Sequence, residues 1–363
     1  MYVRTEVRFY GEILPSLNAK RAGGSSPFAP RCLLAESDLT GVVSDEERAT
    51  DVNNPAGGAS LEGKGGTLVL RSLGGGGGDY YQTSPLSPHD ASRCLSSLAR
   101  LHASAWEDVP LLRKASDRLS ECGGSYHLRI RNPRELVEME KSWEGFVERF
   151  RHVDPELFAR DGVRDIGKRM KELAEYVCDE LSPGVEDAYA TIVHGDYKGM
   201  NVFLPRDAPD GGGGGDAVII DYASAGVGLG MSDVAMHLTH AVRPRDFSNG
   251  GEMKLVDGYL DALEAARGDM MTPQGASASV RPYPRDAALR HYRLASLDYF
   301  RFILGRFYRD SSPETFERRK NGMNTTLVNR NVDAMLAFVK RAEGHLMEFE
   351  EERRRRSLES ADS

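Results

Sequence analysis

Four residues near the middle of the chain have the types that phosphoryl transfer to a hydroxyl needs. In Ile192-Val193-His194-Gly195-Asp196-Tyr197-Lys198-Gly199-Met200-Asn201-Val202-Phe203-Leu204, an acid is followed by a lysine two positions on and an amide five positions on. A second apolar run, Ala217-Val218-Ile219-Ile220, ends in Asp221. One carboxylate, Asp196, can orient a hydroxyl and accept its proton. The Asn201 amide oxygen and the Asp221 carboxylate can hold magnesium, a hard ion that prefers oxygen ligands. Lys198 can steady charge on the moving group. A hairpin brings these residues together in chain order.

The elements that must position them follow from patterning. Thr191-Ile192-Val193, Val202-Phe203-Leu204 and Ala217–Ile220 read as short strands, the last two joined by a hairpin-like loop from Pro205 to Asp216. Cys32–Ala35 and Thr67–Leu70 read as buried strands. Val3, Val7, Tyr10 and Leu14 share one helical face, and Pro15 is expected to end that helix. Ser87-Pro88-His89-Asp90 is a helix start, with a capping hydroxyl, a first-turn proline and an acid three after the cap. Residues 131–181 read as two helices, and later helices are expected at about 232–242, 251–267, 286–309 and 326–352. The runs Gly74–Gly78 and Gly211–Gly215 and the polar stretch 41–66 read as loops and a solvated insertion.

Composition narrows the class. The chain has 363 residues, with Lys plus Arg 47 against Asp plus Glu 55 and a net charge of −8. A net negative chain is a poor match for nucleic acid or anionic lipid, so neither is expected as a partner. No apolar run approaches the ~20 residues of a membrane span, and the first ten residues have no secretory h-region. Cys32, Cys94, Cys122 and Cys178 are widely spaced, which suggests neither a zinc site nor a disulfide framework. A cytoplasmic monomer is the expectation.

The segment Asp196–Asn201 followed by Asp221 resembles the catalytic loop of the protein-kinase-like fold, D-x-K-x-x-N with a later metal-binding aspartate. The His194-Gly195-Asp196 form resembles the small-molecule kinases: aminoglycoside phosphotransferases, choline kinases and ecdysteroid-kinase-like (CHK-kinase-like) proteins. Leu98-Ala99-Arg100-Leu101-His102-Ala103-Ser104-Ala105-Trp106 resembles the last group's L-A-x-L-H-A-x-x-W helix. Thr5–Tyr10 looks like the helix whose glutamate, here Glu6, pairs the ATP-binding lysine. Thr67–Leu73 looks like the hinge strand, with Leu70 and Ser72 as nucleotide contacts. Val218–Tyr222 with Gly228–Asp233 resembles the I-D-F segment and the aspartate after it.

The resemblance implies an α+β, bilobal, protein-kinase-like fold. It places a partial small lobe at 1–73, a mostly helical large lobe at 74–350 and a polar tail at 351–363. It implies ATP and magnesium as cofactors and a small-molecule acceptor with a hydroxyl. The family's phosphate-covering loop and strand lysine precede the helix that carries Glu6, and no lysine precedes Glu6 here. An incomplete small lobe is therefore expected, and a non-catalytic binding protein of the same fold is the alternative function.

Competing patterns are weaker. Gly58-x-x-x-x-Gly63-Lys64 lacks the Ser or Thr of a phosphate loop and precedes a strand, not a helix. Gly226-x-Gly228-x-Gly230 mimics a dinucleotide turn with its third glycine one residue early. His237 and His240 have no third ligand near in sequence, and Asp233 reads as an acid at a helix start. The aromatic stretch Tyr292–Tyr308 reads mainly as helix packing.

Overall fold

The computed structural model describes residues 2–19, 28–38, 65–73, 80–120, 122–206, 216–270 and 282–361. The architecture is α+β. Helices dominate, and among the described residues the strands form three small antiparallel sheets.

Helix α1 (Tyr2–Arg8) buries Val7 on the expected apolar face. The expectation that Pro15 ends this helix is corrected. The chain passes through a π-helical turn, Phe9–Ile13, and continues as α2 (Leu14–Ala19) with Pro15 in its first turn. A proline cannot donate to the carbonyl four residues back and crowds it. Here that residue is Gly11, inside a widened turn that already shifts the hydrogen-bond register.

Strands β1 (Cys32–Asp38) and β2 (Gly65–Leu70) pair antiparallel with Cys32 opposite Leu70, and α1 packs on both. Both are longer than expected, Gly65 and Gly66, assigned above to the insertion, belong to β2, and neither strand is buried as expected: Leu33, Leu34 and Val69 are exposed. The rest of that insertion, the phosphate-loop-like pattern and both five-glycine runs lie outside the described residues.

Helix α3 (Pro88–Ala105) starts as its signal predicts, with Ser87 Oγ accepting the Asp90 N–H at 3.1 Å. Helix α4 (Val109–Arg118) follows. Residues 131–181 hold more breaks than the two expected helices. They form Pro133–Val137, α5 (Met139–Phe150), the short helices Pro155–Ala159 and Asp161–Arg164, and α6 (Ile166–Glu180). One break is an Asp-Pro start signal: Asp154 Oδ1 accepts the Leu157 N–H at 3.0 Å.

The remaining strands frame the Asp196 segment. These are β3 (Tyr80–Tyr81), β4 (Ala190–Val193), β5 (Val202–Pro205), β6 (Val218–Ile219) and β7 (Gly226–Leu229). Strand β5 lies between β3 and β6, and β4 pairs with β7. The glycine pattern at 226–230 therefore begins as a strand. Its glycines permit close approach: a Cβ on Gly228 would lie 3.0 Å from Val193 Cγ2.

Helices α7 (Met231–Ala241), α8 (Gly251–Met270) and α9 (Arg285–Arg306) sit within a few residues of expectation. The last helix, α10, runs Val332–Ala361. It starts later than expected because Leu327–Asn329 is a separate 3-10 turn and Asn331 Oδ1 caps the Ala334 N–H at 2.8 Å. Residues 351–361, expected as a tail, continue this helix, and Arg356 reaches Glu180 at 2.7 Å. Tyr292, Tyr299, Phe300 and Tyr308 are core residues. Among the described residues no helix is long and apolar enough to cross a membrane.

Candidate active site

Strand β4 ends at Val193, and the next three residues turn sharply. Gly195 takes a φ of 79°, and a Cβ there would meet the Ser224 carbonyl and lie 2.6 Å from the Gly124 nitrogen. Only glycine fits that turn. The turn is stitched to its neighbours: Ser125 N–H donates to the Gly195 carbonyl at 2.7 Å, and Gly124 N–H to that of Ser224 at 3.1 Å.

His194 is fully buried. Its Nε2 donates to the Ile220 carbonyl at 2.9 Å, and its Nδ1 accepts the Asp196 N–H at 3.2 Å. It is a structural link between the Asp196 turn and the end of β6, with neither ring nitrogen left for proton transfer.

Asp196 is partly exposed. Lys198 Nζ donates to its Oδ2 at 2.8 Å, and Ser125 Oγ lies 3.4 Å from its Oδ1. Lys198 thus points along the carboxylate. Asn201 Nδ2 donates to the Asp196 carbonyl at 2.9 Å. Ile220 N–H donates to the Asn201 carbonyl at 2.9 Å, and Val202 faces Ile219 in the β5–β6 register. Asn201 and Asp221 therefore sit at the adjacent ends of two paired strands.

Asp221 has a left-handed backbone, φ 66° and ψ 59°. Such a conformation is uncommon outside glycine, asparagine and aspartate. It follows β6 and redirects the chain into the 3-10 turn Tyr222–Ser224.

The donor set of Asn201 and Asp221 fits magnesium, since both offer hard oxygen. Among the described residues no group of three His, Cys, Asp or Glu side chains converges to hold a metal alone. Two protein ligands completed by phosphate oxygens and water is the usual arrangement for this ion.

Asp233 is more than an acid at a helix start, which corrects its sequence reading. It is buried, and its carboxylate accepts the His194 N–H at 2.6 Å, the Gly195 N–H at 2.9 Å and His102 Nε2 at 3.1 Å. Burial pushes this carboxyl up, but the hydrogen bonds from His102 and Gly195 and the nearby histidines outweigh it and hold it below the usual carboxylate range. His102, from α3, is also fully buried, and its Nδ1 lies 2.7 Å from the Tyr259 hydroxyl of α8. Sequence reasoning missed Ser125 and Tyr259 as site neighbours. Neither carries a motif, and both arrive through packing. His237 and His240 are core residues that burial pushes down to about 4 and about 3, which keeps them neutral.

Glu6 reaches the same place from α1. Burial raises its carboxyl above the usual range and the Asp221 charge adds to that, opposed by a hydrogen bond from the Tyr222 backbone. Phe9, one turn on, stacks on the buried Tyr222 ring at 3.7 Å and 9°. Lys198 and Asn201 thus bond to Asp196, while Asp221 follows Ile220, whose N–H bonds to Asn201, and feels the Glu6 charge. Leu70 and Ser72 are placed by the small sheet instead: Leu70 faces Cys32 at the end of β2, and Ser72 is exposed two residues beyond.

Comparison with the curated proteins gives no match. The model of the ecdysteroid kinase-like family matches residues 1–270, which include α1, the Asp196 loop, Asp221 and the Asp233 hub. With about three quarters of its length matched, this chain belongs to the ecdysteroid kinase-like family, a family of protein-kinase-like small-molecule kinases.

Proposed function

We propose that the chain is an ATP- and magnesium-dependent phosphotransferase acting on a hydroxyl of a small molecule. The carrying observation is the Asp196 carboxylate, held between Lys198 and Ser125 and tied through Asn201 and Ile220 to Asp221. Asp196 positions the acceptor hydroxyl and takes its proton. The hydroxyl oxygen bonds to the terminal phosphorus of ATP as that phosphorus parts from the bridging oxygen, and ADP leaves. Lys198 turns from Asp196 toward the transferred phosphoryl group and offsets its charge. Asn201 and Asp221 would hold the magnesium, whose charge would neutralise the phosphate oxygens. The bilobal arrangement, with a nucleotide held between the small sheet and the Asp196 loop, belongs to this reading.

The test pairs Asp221→Asn with a metabolite-extract screen for ATP-dependent phosphorylation. Asparagine keeps the left-handed backbone accessible, so the variant is expected to unfold at the parent temperature. It should lose magnesium-dependent nucleotide binding in a titration and at least ~10²-fold in turnover. Parent-like turnover in this variant would overturn the role assignment. Glu6 has acidic Asp221 beside it as its charged neighbour, which favours the second reading, a non-catalytic, pseudokinase-like binding protein. Magnesium-dependent binding with no product from any extract selects that reading.

A further inference from the structure

We infer that Tyr259 is a positioning residue for the Asp196 loop, acting through His102 and Asp233; its catalytic consequence rests on the phosphotransferase reading. A buried carboxylate that accepts two backbone N–H groups needs its third partner to be a donor. His102 Nε2 must therefore carry a proton toward Asp233, and in the singly protonated ring Nδ1 is then a bare lone pair in a fully buried side chain. The Tyr259 hydroxyl, 2.7 Å away, satisfies that lone pair and selects the tautomer. Burial drives its phenol well above the ordinary value, so it stays a donor at neutral pH. The rings meet edge to face, 5.8 Å apart at 76°.

The backbone opposite is shaped to admit this contact. A Cβ on Gly230 would lie 2.6 Å from both His102 Nδ1 and the Tyr259 oxygen. Gly230 has ordinary helical angles, φ −55° and ψ −26°, so its lack of a side chain serves this contact and not the backbone. The chain of donors is Tyr259 O–H to His102 Nδ1, His102 Nε2–H to Asp233, and His194 and Gly195 N–H to the same carboxylate. The turn that aims Asp196 is thus set from a helix outside the motif.

The 363-residue chain with ¹⁵N-histidine tests this, with the His102 signal assigned by its loss in His102→Asn. The parent should show a neutral ring protonated on Nε2, with a hydrogen-bonded Nδ1. Tyr259→Phe removes the hydroxyl, and Gly230→Ala wedges it away; both should move the Nδ1 resonance. Both should also speed exchange of the Gly195 amide and lower kcat by about tenfold with KM for ATP unchanged. Tyr292→Phe is the control. It removes another buried tyrosine bond to α8, to Glu252 at 2.6 Å, and should leave the His102 signal and Gly195 exchange as in the parent.

An unmoved Nδ1 resonance in Tyr259→Phe, or a parent ring protonated on Nδ1 alone, would overturn the inference. So would equal Gly195 exchange in Tyr292→Phe and Tyr259→Phe. A parent that phosphorylates nothing would sink the phosphotransferase reading alone, because the imidazole and exchange signals still decide this one.

Discussion

The two sides of the candidate site are built in opposite ways. On the Asp196 side, nearly every polar group that shapes the turn is buried and matched: Asp233 takes three donors, His194 bridges two backbone segments, and Gly195 is closed in by Gly124 and Ser224. On the α1 side, the two-stranded β1–β2 sheet leaves Leu33, Leu34 and Val69 substantially exposed, and Glu6 sits beside a like charge. The contact between the sides is chiefly aromatic, with Phe9 and Tyr10 against Tyr222. A buried, fully matched network fixes a geometry, whereas an apolar stack and a carboxylate set beside a like charge hold it less tightly. On the proposed reading, the better-matched side is the one that aims the proton acceptor, and the other is the side that meets the nucleotide.

The largest effect should come from breaking the better-matched side. Asp233→Ala strands the His194 and Gly195 N–H groups and the His102 Nε2–H in a dry interior. Removing one partner of a buried charged network costs about 3–5 kcal/mol, so the variant should lose that much in urea or thermal unfolding. A loss under ~1 kcal/mol would show that the turn does not depend on this carboxylate, and the contrast between the sides would fail.

The chemistry of the site was more legible in the sequence than its support. Asp196, Lys198, Asn201 and Asp221 lie within one strand–turn–strand–strand run, so spacing and apolar flanks suffice to place them. Asp233 is close in sequence, but its type also suits a helix start, and only burial separates the two uses. Ser125 and Tyr259 come from distant segments and depend on tertiary packing that no local pattern records. Pro15 misled because its rule presumes an α-helical register, which the π turn at Phe9–Ile13 changes. Strand β7 was hidden because its glycines, needed for close packing on Gly123 and Val193, are poor strand formers.

A smaller effect should come from relieving the less tightly held side. The folded chain raises the Glu6 carboxyl above its ordinary 4.5, through burial first and Asp221 second. The folded state then holds this proton more tightly than the unfolded state. Stability therefore falls as pH rises from the unfolded value through the folded one, and the full penalty remains above that window. Below the unfolded value the penalty is absent. Glu6→Gln keeps an acceptor for the Tyr222 N–H and removes the charge. The variant should melt higher than the parent at pH 7, by roughly 2 °C, and together with it near pH 4. An equal gain at both pH values would mean that the charge is not the cause.

The smallest expected effect is on the exposed face of β1–β2. Leu34 faces Val69 across the pair, and Leu33 lies at the register shift between the strands. Leu33 is 58% exposed and Val69 41%. Side chains this open give up little burial when made polar, so Leu33→Lys and Val69→Thr should each change stability by under ~0.5 kcal/mol. Threonine keeps the β-branched shape and the strand preference, and lysine on a short two-stranded sheet disfavours pairing with another edge. The double variant should therefore unfold with the parent while giving less high-mass material in light scattering. A loss above ~2 kcal/mol would show that these side chains pack against something in the native protein. The α1 side would then be as fixed as the Asp196 side, and the difference drawn between them would vanish.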